Sequence, residues 1–401
     1  MGVNDAFVVT LIRLVGLVFG LVALWTLRKL ALELKFGRVV ANLSTLAVAV
    51  TGSFVWLSVA ENYDIPALMF WLLFLLACAR LFMRRDARYL YWMALWFFLV
   101  SITKYTYIPF SGLAGLAAFW IFTRQIGYRN VWETIKRHWR NWRKEIGKYT
   151  VAGLAMLLIV SGILFIERVG GNLMFYRAFN PSCTRIHTHE ACMKFGVYER
   201  NYSRAIEYER QIESGEVQPT TYNPLTYTPF WLDRYYSSMY GYVGHIWIYQ
   251  FWAWMYAGLT AALLAIVGLL VYVKKQRQKI LKTAGEKWLA GTVVMLVVAQ
   301  YVFNVQTFVN FGGERYAYAH QGRYLLSAIG LMYMLVLLLA ARVVYMLSDK
   351  SKTVVISVLV VIGLFALVTN GALVSFFIHA DSLDWFSPVA RQILPDFLLP
   401  S

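Results

Sequence analysis

Long apolar runs separated by short, mostly basic connections set the pattern of this chain. Ten runs stand out, at 6–27, 38–58, 65–82, 89–101, 107–123, 149–167, 247–273, 288–308, 323–346 and 353–377. Most approach the roughly 20 residues a helix needs to cross hydrocarbon, where backbone groups find no water and must pair within their own segment. The pattern predicts an all-α, polytopic transmembrane helical bundle of about ten spans. The runs 89–101 and 107–123 are short and interrupted by Thr103, Lys104 and Pro109, which reads as broken or tilted helices beside a polar cavity, or as spans with displaced boundaries. The first run follows Asn4 and Asp5 and contains Arg13; it lacks the basic leader of a signal peptide and reads as a true span.

The runs divide the chain into an N-terminal membrane region of about six spans (1–167), a polar, aromatic-rich insertion (168–246), a C-terminal membrane region of about four spans (247–377) and a tail (378–401). Within the insertion, 196–214 has helical spacing and a stop at Gly215. Tyr222 to Tyr242 is rich in Tyr, Trp and Pro, as an interfacial or re-entrant element is, or a simple headgroup anchor.

Composition agrees: 59% of residues are hydrophobic, 15% are charged, and the mean hydropathy is +0.54. Soluble domains carry about 25% charge, so a water-soluble enzyme is excluded. The formal charge of +17 changes the picture only through its distribution. Alternate connections, 28–38, 80–88, 124–148, 274–287 and 342–352, carry +3, +3, +6, +5 and +2, which leaves the remainder of the chain slightly acidic. That is the positive-inside pattern. It places these five in the cytoplasm and the N-terminus, the 59–64 and 102–106 turns, 168–246, 309–322 and the tail outside the cell membrane, as in a prokaryotic inner membrane. The excess charge thus serves topology and membrane lipids, and no nucleic-acid partner is needed to explain it.

Three cysteines occur. Cys78 lies inside a run and reads as packing; Cys183 and Cys192 fall in the outer insertion, where an oxidising compartment lets them form a disulfide. His187, His189 and Glu190 share that loop, but their spacing lacks the His-Glu-x-x-His arrangement and a distant third ligand, so no metal site is assigned. No P-loop, dinucleotide fingerprint or Gly-x-Ser-x-Gly elbow occurs in a suitable setting.

Ionisable residues at a membrane edge are costly and invite a functional reading. Glu61 and Asp64 sit three positions apart in the 59–64 turn; they can share a proton, a divalent cation or a basic partner, or simply cap the next helix. Lys104 opposes the positive-inside trend and suits a phosphate or carboxylate, with snorkelling as the alternative. Arg315 and Arg323 flank the start of the ninth run, and an arginine fork matches a pair of phosphate oxygens. Arg13 and Glu167 are weaker candidates, since either pairs or snorkels.

Three segments, taken in order, resemble the C-type polytopic glycosyltransferases that use polyprenyl-phosphate sugar donors. They are Trp56-Leu-Ser-Val-Ala-Glu61-Asn-Tyr-Asp64-Ile, the Thr103-Lys104 break followed by Pro109, and Gln321-Gly-Arg323-Tyr-Leu-Leu326. Phe230-Trp231 and Tyr240-Gly241-Tyr242-Val-Gly244 are similar to the outer segment of a membrane-protein family near that superfamily.

The resemblance implies transfer of sugar from a polyprenyl-phosphate donor to an extracytoplasmic hydroxyl. Asp64 or Glu61 would take the acidic role; Arg323, Lys104, Arg315, Gln321 and Tyr324 would hold the donor. No cofactor is required, although a divalent cation suits the carboxylates. The family begins with a cytoplasmic terminus, one span and a long acidic outer loop, whereas Met1 reads as outside here. The expectation is a chain that starts after that portion, hence a fragment, a split enzyme needing a membrane partner subunit, or a non-catalytic relative. A transporter or flippase for a lipid-linked solute is the competing class.

Overall fold

The structure, a computed structural model, describes residues 3–60, 62–240, 242–243, 246–247, 281–310, 312 and 322–346. The expected span 247–273 beyond its first residue, the span 353–377, the tail, Glu61, Arg315 and Gln321 lie outside the described residues. Helices in chain order are α1 (Val3–Glu33), α2 (Arg38–Ala49), α3 (Gly52–Val59), α4 (Asp64–Arg84), α5 (Tyr89–Thr103), α6 (Tyr107–Ile126) and α7 (Val131–Phe165). They continue as α8 (Gly171–Tyr176), α9 (Cys183–Ile186), α10 (His189–Met193), α11 (Gly196–Glu213), α12 (Pro224–Tyr240), α13 (Ala284–Asn310) and α14 (Leu326–Met346). The only strands described are Tyr242–Val243 and Ile246–Trp247, paired antiparallel.

This is an all-α, multi-pass membrane protein. Where the sequence predicts ten spans, the described residues contain five helices long and apolar enough to cross a membrane, or six when α2 and α3 count as one bent span. Of the two short runs, α5 is a short apolar helix, and α5 and α6 are separated at Lys104. Its backbone is extended there (φ −148°, ψ 102°), and its carbonyl accepts from the Tyr107 N–H at 3.1 Å.

The chain forms two compact units. One holds the segments up to Leu72, 235–293 and 322 onward; the other holds Leu73–Arg234 and 294–321.

In the first unit α1 packs against the α2–α3 pair, which bends by 64°. The bend falls at Val50-Thr51-Gly52, where Thr51 turns to ψ 120°. Its hydroxyl returns to the Ala47 carbonyl at 2.8 Å and meets the Tyr333 hydroxyl of α14 at 3.2 Å. Glycine permits the close approach of α1 to α3, as small residues do between membrane helices. A Cβ at Gly16 would stand 2.8 Å from the Ser58 carbonyl oxygen, and one at Gly20 2.7 Å from the Ser58 hydroxyl. Gly16→Val is therefore expected to lower stability by about 1–3 kcal/mol, the usual cost of overpacking. Gly153→Val on α7, where an added Cβ meets no other part of the protein within 4 Å, is the control for thermal unfolding in detergent; equal midpoints for the two variants would refute the packing argument.

In the second unit α5 runs alongside the later half of α7. Tyr91 donates to the Leu154 carbonyl at 2.6 Å, Phe98 faces Phe165 at 5.3 Å, and Arg168 donates to the Ile102 carbonyl at 2.6 Å. Contact positions rise together along both chains, so the two helices are parallel. Between them the chain returns through α6, which packs on α5.

α7 belongs to a helical run of 49 residues, Tyr128–Tyr176, interrupted by an elbow at Gly147 (φ +76°, ψ 161°), a conformation open to glycine and costly to other residues. The connection 124–148 is thus largely helical. A five-residue π-helical turn, Ile166–Gly170, leads into α8.

Beyond it, Cys183 and Cys192 are joined by a disulfide with Cα atoms 5.8 Å apart, and the Thr188 side chain accepts from the Ala191 N–H to cap α10. In α11 the exposed Glu207 carboxylate is held below the usual range by hydrogen bonds from Arg210 and Gln211. The aromatic segment forms α12, whose Tyr227 and Trp231 rings pack on Tyr301 of α13 at 4.9 and 5.4 Å.

Candidate functional site

Asp64, Arg323 and Tyr324 belong to the same unit, whereas Lys104 belongs to the other. Asp64 opens α4 and is buried, 6% exposed. Its N–H donates to the Asn62 side-chain oxygen at 2.7 Å, a local turn that fixes the helix start. Seven residues on, the Trp71 indole N–H donates to the Ser327 carbonyl at 3.1 Å. Ser327 lies one turn after Arg323, so this bond ties α4, two turns in from Asp64, to the first turn of α14.

Arg323 sits in a short 3₁₀ turn, Gly322–Leu325, that packs against α3 and leads into α14. Its guanidinium carbon lies 5.3 Å from the centroid of the Tyr324 ring. The Arg323 Nε is buried and has no hydrogen-bond partner among the described residues. The same holds for the Ser53 hydroxyl and the Trp56 indole nitrogen of α3, the helix on which the Arg323 turn packs. A buried donor left unpaired costs about 1–3 kcal/mol, and each such group in a native structure calls for a partner. Three orphan donors, one of them permanently charged, on two packed elements suit an anion with several acceptor oxygens. A phosphate is such an anion.

Sequence reasoning singled out Asp64, Arg323 and Tyr324 but passed over Ser53 and Trp56. Trp56 begins one of the quoted motifs; nothing in its local pattern marks its nitrogen as unpaired, because that depends on what packs around it. Lys104 caps α5 in the other unit, near the carbonyl that Arg168 holds. Arg168 carried no sequence signal.

A second polar constellation lies at the other end of the first unit, beside the basic connections. Glu286, in the first turn of α13, is buried, and its carboxylate accepts from Arg342 Nη2 at 2.7 Å and from the Lys282 N–H at 2.7 Å. Thr283 completes a capping arrangement by accepting from the Glu286 N–H at 3.2 Å. The pair joins residues 56 positions apart and secures α13 to α14. Both Glu286 carboxylate oxygens have a donor, which suits a structural role.

No family model, curated protein or solved structure matches this chain.

Proposed function

We propose that the chain is a membrane glycosyltransferase that moves a sugar from a polyprenyl-phosphate donor to a hydroxyl acceptor at the membrane face opposite the basic connections. The observation that carries this reading is the set of unpaired buried donors on Arg323, Ser53 and Trp56. Phosphate oxygens satisfy such donors, and low surrounding polarity strengthens each contact. The motif resemblance at Glu61–Asp64 and Gln321–Leu326 supports the identity of the phosphate as that of a lipid-linked sugar.

In this mechanism the acceptor oxygen attacks the anomeric carbon with inversion. The bond from that carbon to the phosphate oxygen breaks, and polyprenyl phosphate leaves with the electron pair. Asp64 takes the acceptor proton, while Arg323 stabilises the charge that grows on the departing phosphate. Glu61 is the alternative carboxylate, and Tyr324 and Gln321 bracket the arginine in sequence. Lys104 and Arg315 are further proposed donor contacts.

Asp64→Asn is expected to lower the transfer rate at least a hundredfold while leaving donor affinity within about threefold, since general-base assistance is worth about 10²–10⁴. The assay is transfer from a radiolabelled polyprenyl-phosphate sugar to a hydroxyl acceptor in proteoliposomes. A full rate in Asp64→Asn and Glu61→Gln alike would remove both carboxylates from the mechanism.

The 64° break between α2 and α3 favours a second reading, transport of a lipid-linked solute, because broken helices line many transport paths. That reading predicts movement of the donor across the bilayer with no new glycosidic bond.

A further inference from the structure

The N-terminal limb of α7, residues 131–146, has two faces. Thr134 and Trp142 are buried and His138 is half-buried, so this face rests on the protein. Tyr91 meets Trp142 at 5.5 Å, and the Ala87 N–H donates to His138 Nδ1 at 3.0 Å. The other face exposes Trp132, Lys136, Trp139, Arg140, Arg143 and Lys144. Trp side chains beside Lys and Arg on an amphipathic helix are the composition of a segment lying in the headgroup layer.

At Gly147 the chain turns and the second limb begins, with Met156, Ile159 and Ile163 exposed as lipid-facing residues are. The elbow forms a cleft of ≈ 530 Å³ lined by Lys136, Trp139, Arg140, Arg143, Lys144, Lys148 and Val151. Five of these seven are cations, and none is a carboxylate.

The nearby acids are committed elsewhere. Glu145 and Asp86 both pair with Arg88, at 2.7 and 2.8 Å, which pins α7 to the turn before α5. Glu133 takes Lys136 at 3.5 Å. Among the described residues Arg140, Arg143, Lys144 and Lys148 have no ion-pair partner. Four unneutralised cations in one corner repel each other, and the cost falls when an anion enters.

We propose that residues 131–146 lie along the membrane surface and that the Gly147 elbow seats the phosphate headgroup of an anionic phospholipid, its acyl chains running along the exposed face of the second limb. Charge complementarity selects the headgroup, and the apolar limb leaving the cleft selects a lipid over a soluble phosphate. The site lies in the second unit and is independent of the sugar-transfer reading.

The test uses the full chain purified in a zwitterionic detergent, with bound lipid counted by native mass spectrometry during titration with phosphatidylglycerol or phosphatidylcholine. The wild-type protein is expected to hold phosphatidylglycerol at least tenfold more tightly than phosphatidylcholine. A basic residue near an anionic membrane surface contributes about 1 kcal/mol, so each charge lost costs about fivefold. Arg143→Gln should weaken phosphatidylglycerol by about fivefold, and Arg140→Gln/Arg143→Gln/Lys148→Gln by about a hundredfold. Lys194→Gln/Arg200→Gln/Arg204→Gln, the same charge change on the disulfide-bearing segment, should leave binding within twofold.

Equal retention of phosphatidylglycerol by the elbow variants and wild type overturns the proposal, as does equal weakening by the control triple. Displacement of the lipid by millimolar glycerol phosphate overturns the lipid assignment in favour of a soluble phosphate. If the triple variant does not fold, the Arg143→Gln result alone decides.

Discussion

Arg323→Ala is expected to weaken donor binding or turnover by about 2–5 kcal/mol, equivalent to between thirtyfold and several thousandfold. The size of the effect follows from the state of the guanidinium. Its Nε is buried and unpaired among the described residues, so a bound phosphate would gain a charge-assisted bond without displacing an internal partner. Arg323→Lys keeps the charge but loses the fork and the Nε donor, and is expected to recover only a minor part of the loss. Trp56→Phe removes one neutral donor and little volume, so its expected cost is nearer 1 kcal/mol. Titration of a fluorescent polyprenyl-phosphate sugar against the three variants provides the measurement. Unchanged affinity and rate in Arg323→Ala would remove the phosphate assignment and leave the orphan donors unexplained.

The second large effect concerns stability. Arg342→Ala leaves the Glu286 carboxylate buried without its cationic partner, and breaking such a pair costs about 3–5 kcal/mol. A quarter of the Arg342 side chain remains accessible, which admits water and places the expected value near the lower limit. Glu286→Ala is expected to cost as much, because it also removes the acceptor for the Lys282 N–H. Replacing both partners at once should cost less than the two single losses added together, since neither charge is then stranded. Unfolding of the purified protein in a denaturing detergent, followed for all four members of the cycle, measures the coupling. A coupling near zero would mean that the pair is solvated and contributes nothing to the α13–α14 contact.

Much of the helical framework was legible because it rests on a local rule. A backbone without water must pair within its own segment, and a run of apolar residues of sufficient length has no alternative to helix. The interruption at Lys104 and the helix at 196–214 follow from signals equally local, a polar break and an amphipathic repeat. Cys183 and Cys192 are so close in sequence that almost any compact path brings them together.

The bend within 38–58 was less visible. The run is apolar throughout, and only Val50-Thr51-Gly52 hints at a break that the Thr51 hydrogen bonds then stabilise. The basic connection 124–148 reads as a topology signal by charge alone. That it is a helix with a protein-facing and an exposed side depends on Trp142 meeting Tyr91 and on His138 meeting the Ala87 N–H.

Of the candidate site, the sequence by itself singled out the charged members, because a carboxylate at Asp64 or a guanidinium at Arg323 is expensive beside a membrane wherever it points. It also marked, through the length of apolar runs, the five helices among the described residues that are long and apolar enough to cross a membrane. Only the tertiary structure decided which polar groups lack partners. Whether the donors of Ser53, Trp56 and Arg323 are satisfied, and whether Glu286 finds Arg342, depends on neighbours brought from distant parts of the chain, and no local pattern encodes that meeting.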